Sequence, residues 1–206
     1  RWLGRLDLPH WGALACMALA KVYQENHGRK YADTVKRYHE YMASRAEEFI
    51  VSEQAYAIIG ACAAYRYTGD EYYRKLAERF ARLVMKKMDA DGNIPAEHYE
   101  APAGKHLVDT IYTVNWALLG MQALAAVSEE FKPVYEKLLG LILKIQDPSP
   151  EKQFNGCWRG MYDMETRTWG GGDRFEGGAG SIYSGWTNAP ISSAIALDLL
   201  DRNLFA

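Results

Sequence analysis

Glu176 is the only glutamate after Thr166, and it stands in the segment WGGGDRFEGGAGSIYSGWTNAP, Trp169 to Pro190, beside Asp173 and Arg174. An aromatic shell around such a carboxyl raises its pKa toward the range a general acid needs. Cleavage of a glycosidic bond uses two carboxyl groups that flank it, one as acid and one as base or nucleophile. Asp173 is the nearest companion of Glu176 in sequence, with Asp163 and Asp109 as the others. Glu176 also has a plainer use, accepting backbone N–H bonds to pin a glycine-rich turn.

The segment carries seven glycines together with Trp169, Tyr183 and Trp186. Glycine lets the backbone approach a neighbour or a ligand closely. A flexible tether, by contrast, is poor in large aromatics. Trp158, Trp169 and Trp186 can stack on the C–H face of a pyranose while Arg174, Asn188 and carboxylates bind its hydroxyls. They can equally seal the end of a helical core. A second long loop, Asp89 to Asp109, offers Glu97, His98, Glu100, His106 and Asp109. The two loops are expected to line one cleft, with His98, His106 and Asp109 as substrate contacts.

These loops need a scaffold, and the remaining sequence supplies two kinds of helix in alternation. WGALACMALAKVY (Trp11 to Tyr23), YAIIGACAAYRY (Tyr56 to Tyr67), WALLGMQALAAV (Trp116 to Val127) and APISSAIALDLL (Ala189 to Leu200) are small or apolar on every face, as in helices buried on all sides. Between them lie amphipathic helices: Tyr31, Val35, Tyr38 and Met42; Tyr73, Leu76, Ala77, Phe80, Leu83 and Val84; and Val134, Tyr135, Leu138, Leu139, Ile142 and Ile145. Gly60 aligns with Gly120 and Ala63 with Ala123, so the alternation is an internal repeat. Pro133 marks a helix start and Asp70 an N-cap. No strand of any length is expected.

Buried inner helices alternating with half-exposed outer ones resemble the (α/α) toroid of six-hairpin glycosidases and polysaccharide lyases. Gln153, Gly156 and Trp158 resemble the Q-x-x-G-x-W ending of a toroid outer helix, and Asp91 and Gly92 end a looser copy. The resemblance implies an all-α fold of αα-hairpin repeats forming part of a toroid. About seven helices stand here against about twelve in a full six-hairpin barrel. Residues 1–206 then form a single toroid-like domain, expected to be the C-terminal part of a longer chain. The resemblance implies a glycoside hydrolase with Glu176, Asp173 and Tyr183 as catalytic residues. It also leaves open a lyase, in which Tyr183 or a histidine takes the proton beside a uronate carboxyl that Asn188, Arg174, His98 or His106 neutralises. A helical-repeat module that binds a glycan or a protein without turnover is the third reading.

A net charge of −2 with both signs interspersed offers no basic face for nucleic acid. Cys16, Cys62 and Cys157 have no metal-ligand spacing, and neither a P-loop nor a dinucleotide fingerprint occurs, so no metal or cofactor is expected. No apolar run reaches the length of a membrane span. The partner expected is a carbohydrate, and oligomeric state and compartment are left open.

Overall fold

The computed structural model describes residues 10–95, 106–170, 182 and 184–205, without the side chains of His10, Trp11 and Ser184. Seven α-helices make up most of the described chain, and the fold is all-α. Four of them, α1 (His10–Asn26), α3 (Val51–Thr68), α5 (Val114–Ala125) and α7 (Ala189–Leu199), are the helices rich in small and apolar residues. The other three, α2 (Arg29–Ser44), α4 (Glu71–Met85) and α6 (Lys132–Lys144), are amphipathic. The inner helices pack in chain order, α1 on α3, α3 on α5 and α5 on α7. Each outer helix packs against the inner helix before it, giving three αα-hairpins and a fourth inner helix.

The small residues of the inner helices let their backbones approach. A Cβ added to Gly60 on α3 would meet the Cα and Cβ of Ala13 on α1 at 3.3 Å. Gly120 on α5 stands in the same relation to α3, where a Cβ would lie 3.2 Å from the Ala55 carbonyl oxygen. Repeat-equivalent glycines thus make successive inter-helix contacts. α3 is consequently buried without interruption from Gln54 to Ala64.

Outer helices bury one face only. On α4, Tyr73, Leu76, Ala77, Phe80 and Val84 face the core, and Arg74 pairs with Glu71 and Glu78 along the exposed side. Burial of side chains such as Phe80 or Leu138 stabilises the fold by about 1.5–3 kcal/mol each. Ion pairs in contact with solvent contribute little beside that burial. Asp70 caps α4 through the Tyr72 amide at 2.9 Å. Before it, Gly69 closes α3 at φ 72°, a left-handed position that favours glycine. Pro133 occupies the first turn of α6.

Cys16, Cys62 and Cys157 are free thiols, the first two buried. Burial pushes the Cys16 thiol up to about 12 and that of Cys62 higher still, so both are inert packing residues. Among the described residues no helix is long and apolar enough to cross a membrane.

The expectation of no strand is corrected. Three short antiparallel strands, β1 (Leu107–Asp109), β2 (Met161–Asp163) and β3 (Thr168–Trp169), form one sheet in that order. Strands of two or three residues are too short to show a period-two alternation, and pairing with a neighbour, distant for β1 with β2 and local for β2 with β3, is what makes them strands.

Candidate functional site

The sheet joins the two long loops. β1 ends the loop of 89–109 and β2 and β3 belong to the loop of 147–188, with Leu107 opposite Asp163, Val108 opposite Tyr162 and Asp109 opposite Met161. Thr110 extends the join, its amide donating to the Gly160 carbonyl at 3.1 Å and its hydroxyl to the carbonyls of Arg159 and Gly160. Both loops follow an outer helix and lead into the N-terminus of an inner one, α5 or α7. Pairing therefore gathers them at one end of the inner row.

Three residues read as substrate contacts have structural partners. Asp109, 3% exposed, accepts from the amides of Ile111 and Tyr112 on Oδ1 and from the Thr113 hydroxyl on Oδ2, which shapes the turn into α5. Trp158, 5% exposed, lies in the core, and its indole N–H donates to the Ile142 carbonyl of α6 at 2.8 Å. Asn188 pairs with the Trp158 backbone in both directions, Oδ1 accepting from its amide at 3.0 Å and Nδ2 donating to its carbonyl at 2.9 Å. That amide mimics a strand neighbour and ties the head of α7 to the loop.

Other expected contacts remain on the outer part of the site. Trp169 on β3 lies half-buried, edge-on to Tyr162 with centroids 5.1 Å apart, and its indole N–H has no partner among the described residues. Trp186 is 45% exposed, in a π-helical turn, Ser184–Asn188, that precedes α7. Exposed His106 stands 4.0 Å from Asp163 across the sheet. The amides of Thr166 and Glu165 hold the Asp163 carboxyl below its ordinary range. Glu176, Asp173, Tyr183, Arg174 and His98, with Glu97 and Glu100, lie outside the described residues.

The inner-helix ends add residues that the sequence reading did not single out. Glu53, 3% exposed, lies in the first turn of α3, where the helix dipole favours an anion. It is the only charged side chain from Val51 to Tyr65. A single acid in a helix apolar on every face was the available signal. Tyr56, one turn on, stacks against Trp116 of α5 with centroids 4.5 Å apart and planes at 32°. Burial and the Glu53 charge push the Tyr56 hydroxyl well above its ordinary value. Tyr56 and Trp116 occupy equivalent places in the repeat, since Gly60 aligns with Gly120.

Fold and site together define an all-α chain of αα-hairpins whose long loops meet over one end of its inner helices. Comparison with protein-family models, characterised proteins and solved structures gives no match. Among the described residues no group of three His, Cys, Asp or Glu side chains could hold a metal ion.

Proposed function

We propose that the chain is part of an (α/α) toroid that hydrolyses glycosidic bonds in an oligo- or polysaccharide, with its cleft at the N-terminal end of the inner helices. The observation that carries this reading is the sheet that ties the two aromatic-bearing loops together there. Trp169 on β3 and the 45% exposed Trp186 are then the surfaces for sugar rings. Glu176 is the general acid, protonating the leaving-group oxygen. Asp173 or Glu53 is the second carboxylate, which attacks the anomeric carbon or activates water. Asp109 drops out of that role because both its oxygens are committed to the turn before α5.

Incubation with neutral and uronic-acid oligosaccharides tests the reading through the products. Saturated reducing ends support a hydrolase, whereas unsaturated uronates absorbing in the ultraviolet mean a lyase that uses Tyr183. Glu176→Gln should abolish turnover and leave sugar binding intact, and normal turnover in that variant overturns the assignment. Binding without turnover by the unaltered chain means a glycan-binding module, a reading favoured by the 45% exposure of Trp186.

A further inference from the structure

Between the outer helices α4 and α6 lies an open groove of about 320 Å³, lined by Met85, Met88, Asp89, Pro133, Val134 and Lys137. Two methionines, a proline and a valine make the lining largely apolar, and Met85 is 39% exposed. Lys137 adds a charge, its ammonium donating to the Asp89 carbonyl at 3.0 Å, and Lys86 and Lys132, each next in sequence to a lining residue, are exposed. None of these three lysines has a carboxylate partner among the described residues. Asp89 directs its Oδ1 to the amides of Asp91 and Asn93 and so is held by its own turn. The groove therefore offers an adaptable apolar surface among positive charges.

The end of α7 carries the opposite pattern. Leu199 and Leu200 are 81% and 69% exposed, the highest values of any large apolar side chain among the described residues, and exposed Asp198 and Asp201 flank them in sequence. The leucines do not stand on a frayed end. Asp201 takes a left-handed φ of 51°, the Arg202 amide donates to the Leu197 carbonyl at 2.8 Å, and Gln122 of α5 donates to the Arg202 carbonyl at 2.9 Å. Adjacent large apolar side chains fixed in solvent mark a surface that something covers.

We propose that the groove of a second copy of this chain covers them, so that Leu199 and Leu200 of one copy dock on Met85, Met88 and Val134 of the next. The charges choose this occupant. Asp198 and Asp201 meet Lys86, Lys132 and Lys137, and the nearby exposed Arg202 and Glu136 are opposite in sign as well. Groove against groove would bring lysines together, and leucine pair against leucine pair would bring aspartates together, so both like pairings are disfavoured. The contact is therefore heterologous, and successive copies join head to tail into a ring or a row. It does not depend on the carbohydrate reading. A contact built on one groove is small, so the association is weak and rises with concentration.

Sedimentation velocity over a concentration series tests the contact with two double variants, both at exposed positions. Leu199→Ser with Leu200→Ser removes the apolar pair, and Met85→Glu with Lys137→Glu reverses the groove. The unaltered chain should gain mass with concentration, and each variant should weaken that association about tenfold or more. Unchanged helical circular dichroism in each variant shows that the loss is not one of folding; Lys86→Glu with Lys132→Glu, which breaks no bond within the fold, should weaken association too. Mixing the two double variants should restore a complex of two chains and nothing larger, because each supplies the part that the other lacks. A chain that stays single up to about 1 mM, association that survives either double variant, or folded variants that do not pair on mixing overturns the proposal.

Discussion

The turns that leave α4 and α6 are built alike at their base and differ in what they carry. In the first, the Asp89 amide donates to the Asn93 carbonyl and the Gly92 amide to the Asp89 carbonyl. In the second, the Asp147 amide donates to the Cys157 carbonyl and the Gly156 amide to the Asp147 carbonyl. Each aspartate also accepts on Oδ1 from the amide two residues on, that of Asp91 or Ser149. Each glycine has positive φ, 91° at Gly92 and 79° at Gly156, and the residue two places beyond it, Ile94 or Trp158, enters the core. The longer turn inserts its extra residues between aspartate and glycine, where no shared hydrogen bond is broken. Its Arg159 then pairs with Asp147 and lies 3.8 Å above the Phe154 ring. One turn thus serves as a plain corner and the other as the root of a loop, which shows where this repeat tolerates elaboration.

The core anchors separate the two turns most strongly. Trp158→Ala should cost about 3–5 kcal/mol by denaturant unfolding, through the cavity and the lost bond to Ile142, against about 2–4 kcal/mol for Ile94→Ala. Equal losses would mean that the tryptophan anchors nothing beyond its bulk. Asp147→Asn removes a charge that is 5% exposed and paired with Arg159, so a loss of about 1.5–3 kcal/mol is expected. Asp89→Asn keeps its Oδ1 acceptor and should cost less in the same melt.

Alanine at either glycine meets the left-handed backbone penalty of about 1–2 kcal/mol. Gly92→Ala should be the worse, because its Cβ would lie 3.1 Å from the Lys137 carbonyl oxygen, while Gly156 has nothing closer than 3.9 Å. Reversal of that order would show that the longer turn is the stiffer one.

The smallest effect lies in the sheet. The Asp163 carboxyl is held below its unfolded value of about 3.8, so the unfolded chain binds its proton first. Its stabilisation is present above that value and is lost as pH falls through the lowered one. Asp163→Asn should flatten the acid limb of a pH–stability curve, and an unchanged limb would mean that another group sets it.

Much of the architecture was legible in the sequence because burial on every side leaves a distinct mark, small and apolar residues around most of the circumference of α3 and α5. The Gly60–Gly120 alignment registered the repeat that the packing then displayed. The sheet was not legible, since its strands are two or three residues long and β1 finds its partner β2 more than fifty positions away. Within the site, an aromatic in a glycine-rich loop does not reveal which way it faces. Trp158 turned inward to α6 while Trp186 stayed at the surface. Asn188 read as a sugar contact, yet a primary amide satisfies a backbone as readily as a hydroxyl. Glu53 left the clearest unused trace, a charge where neighbouring helix positions exclude one.

The glycines where inner helices meet also act as a gauge. Gly60 against Ala13 and Gly120 against Ala55 fix how near each inner helix stands to the one before it, with no room for a methyl group unless the helices part by a few tenths of an ångström. Such a displacement at two successive contacts accumulates along the row, because each helix takes its position from the last. The spacing along the whole inner row inherits that sum, so it is set in part by two hydrogen atoms buried where the helices touch.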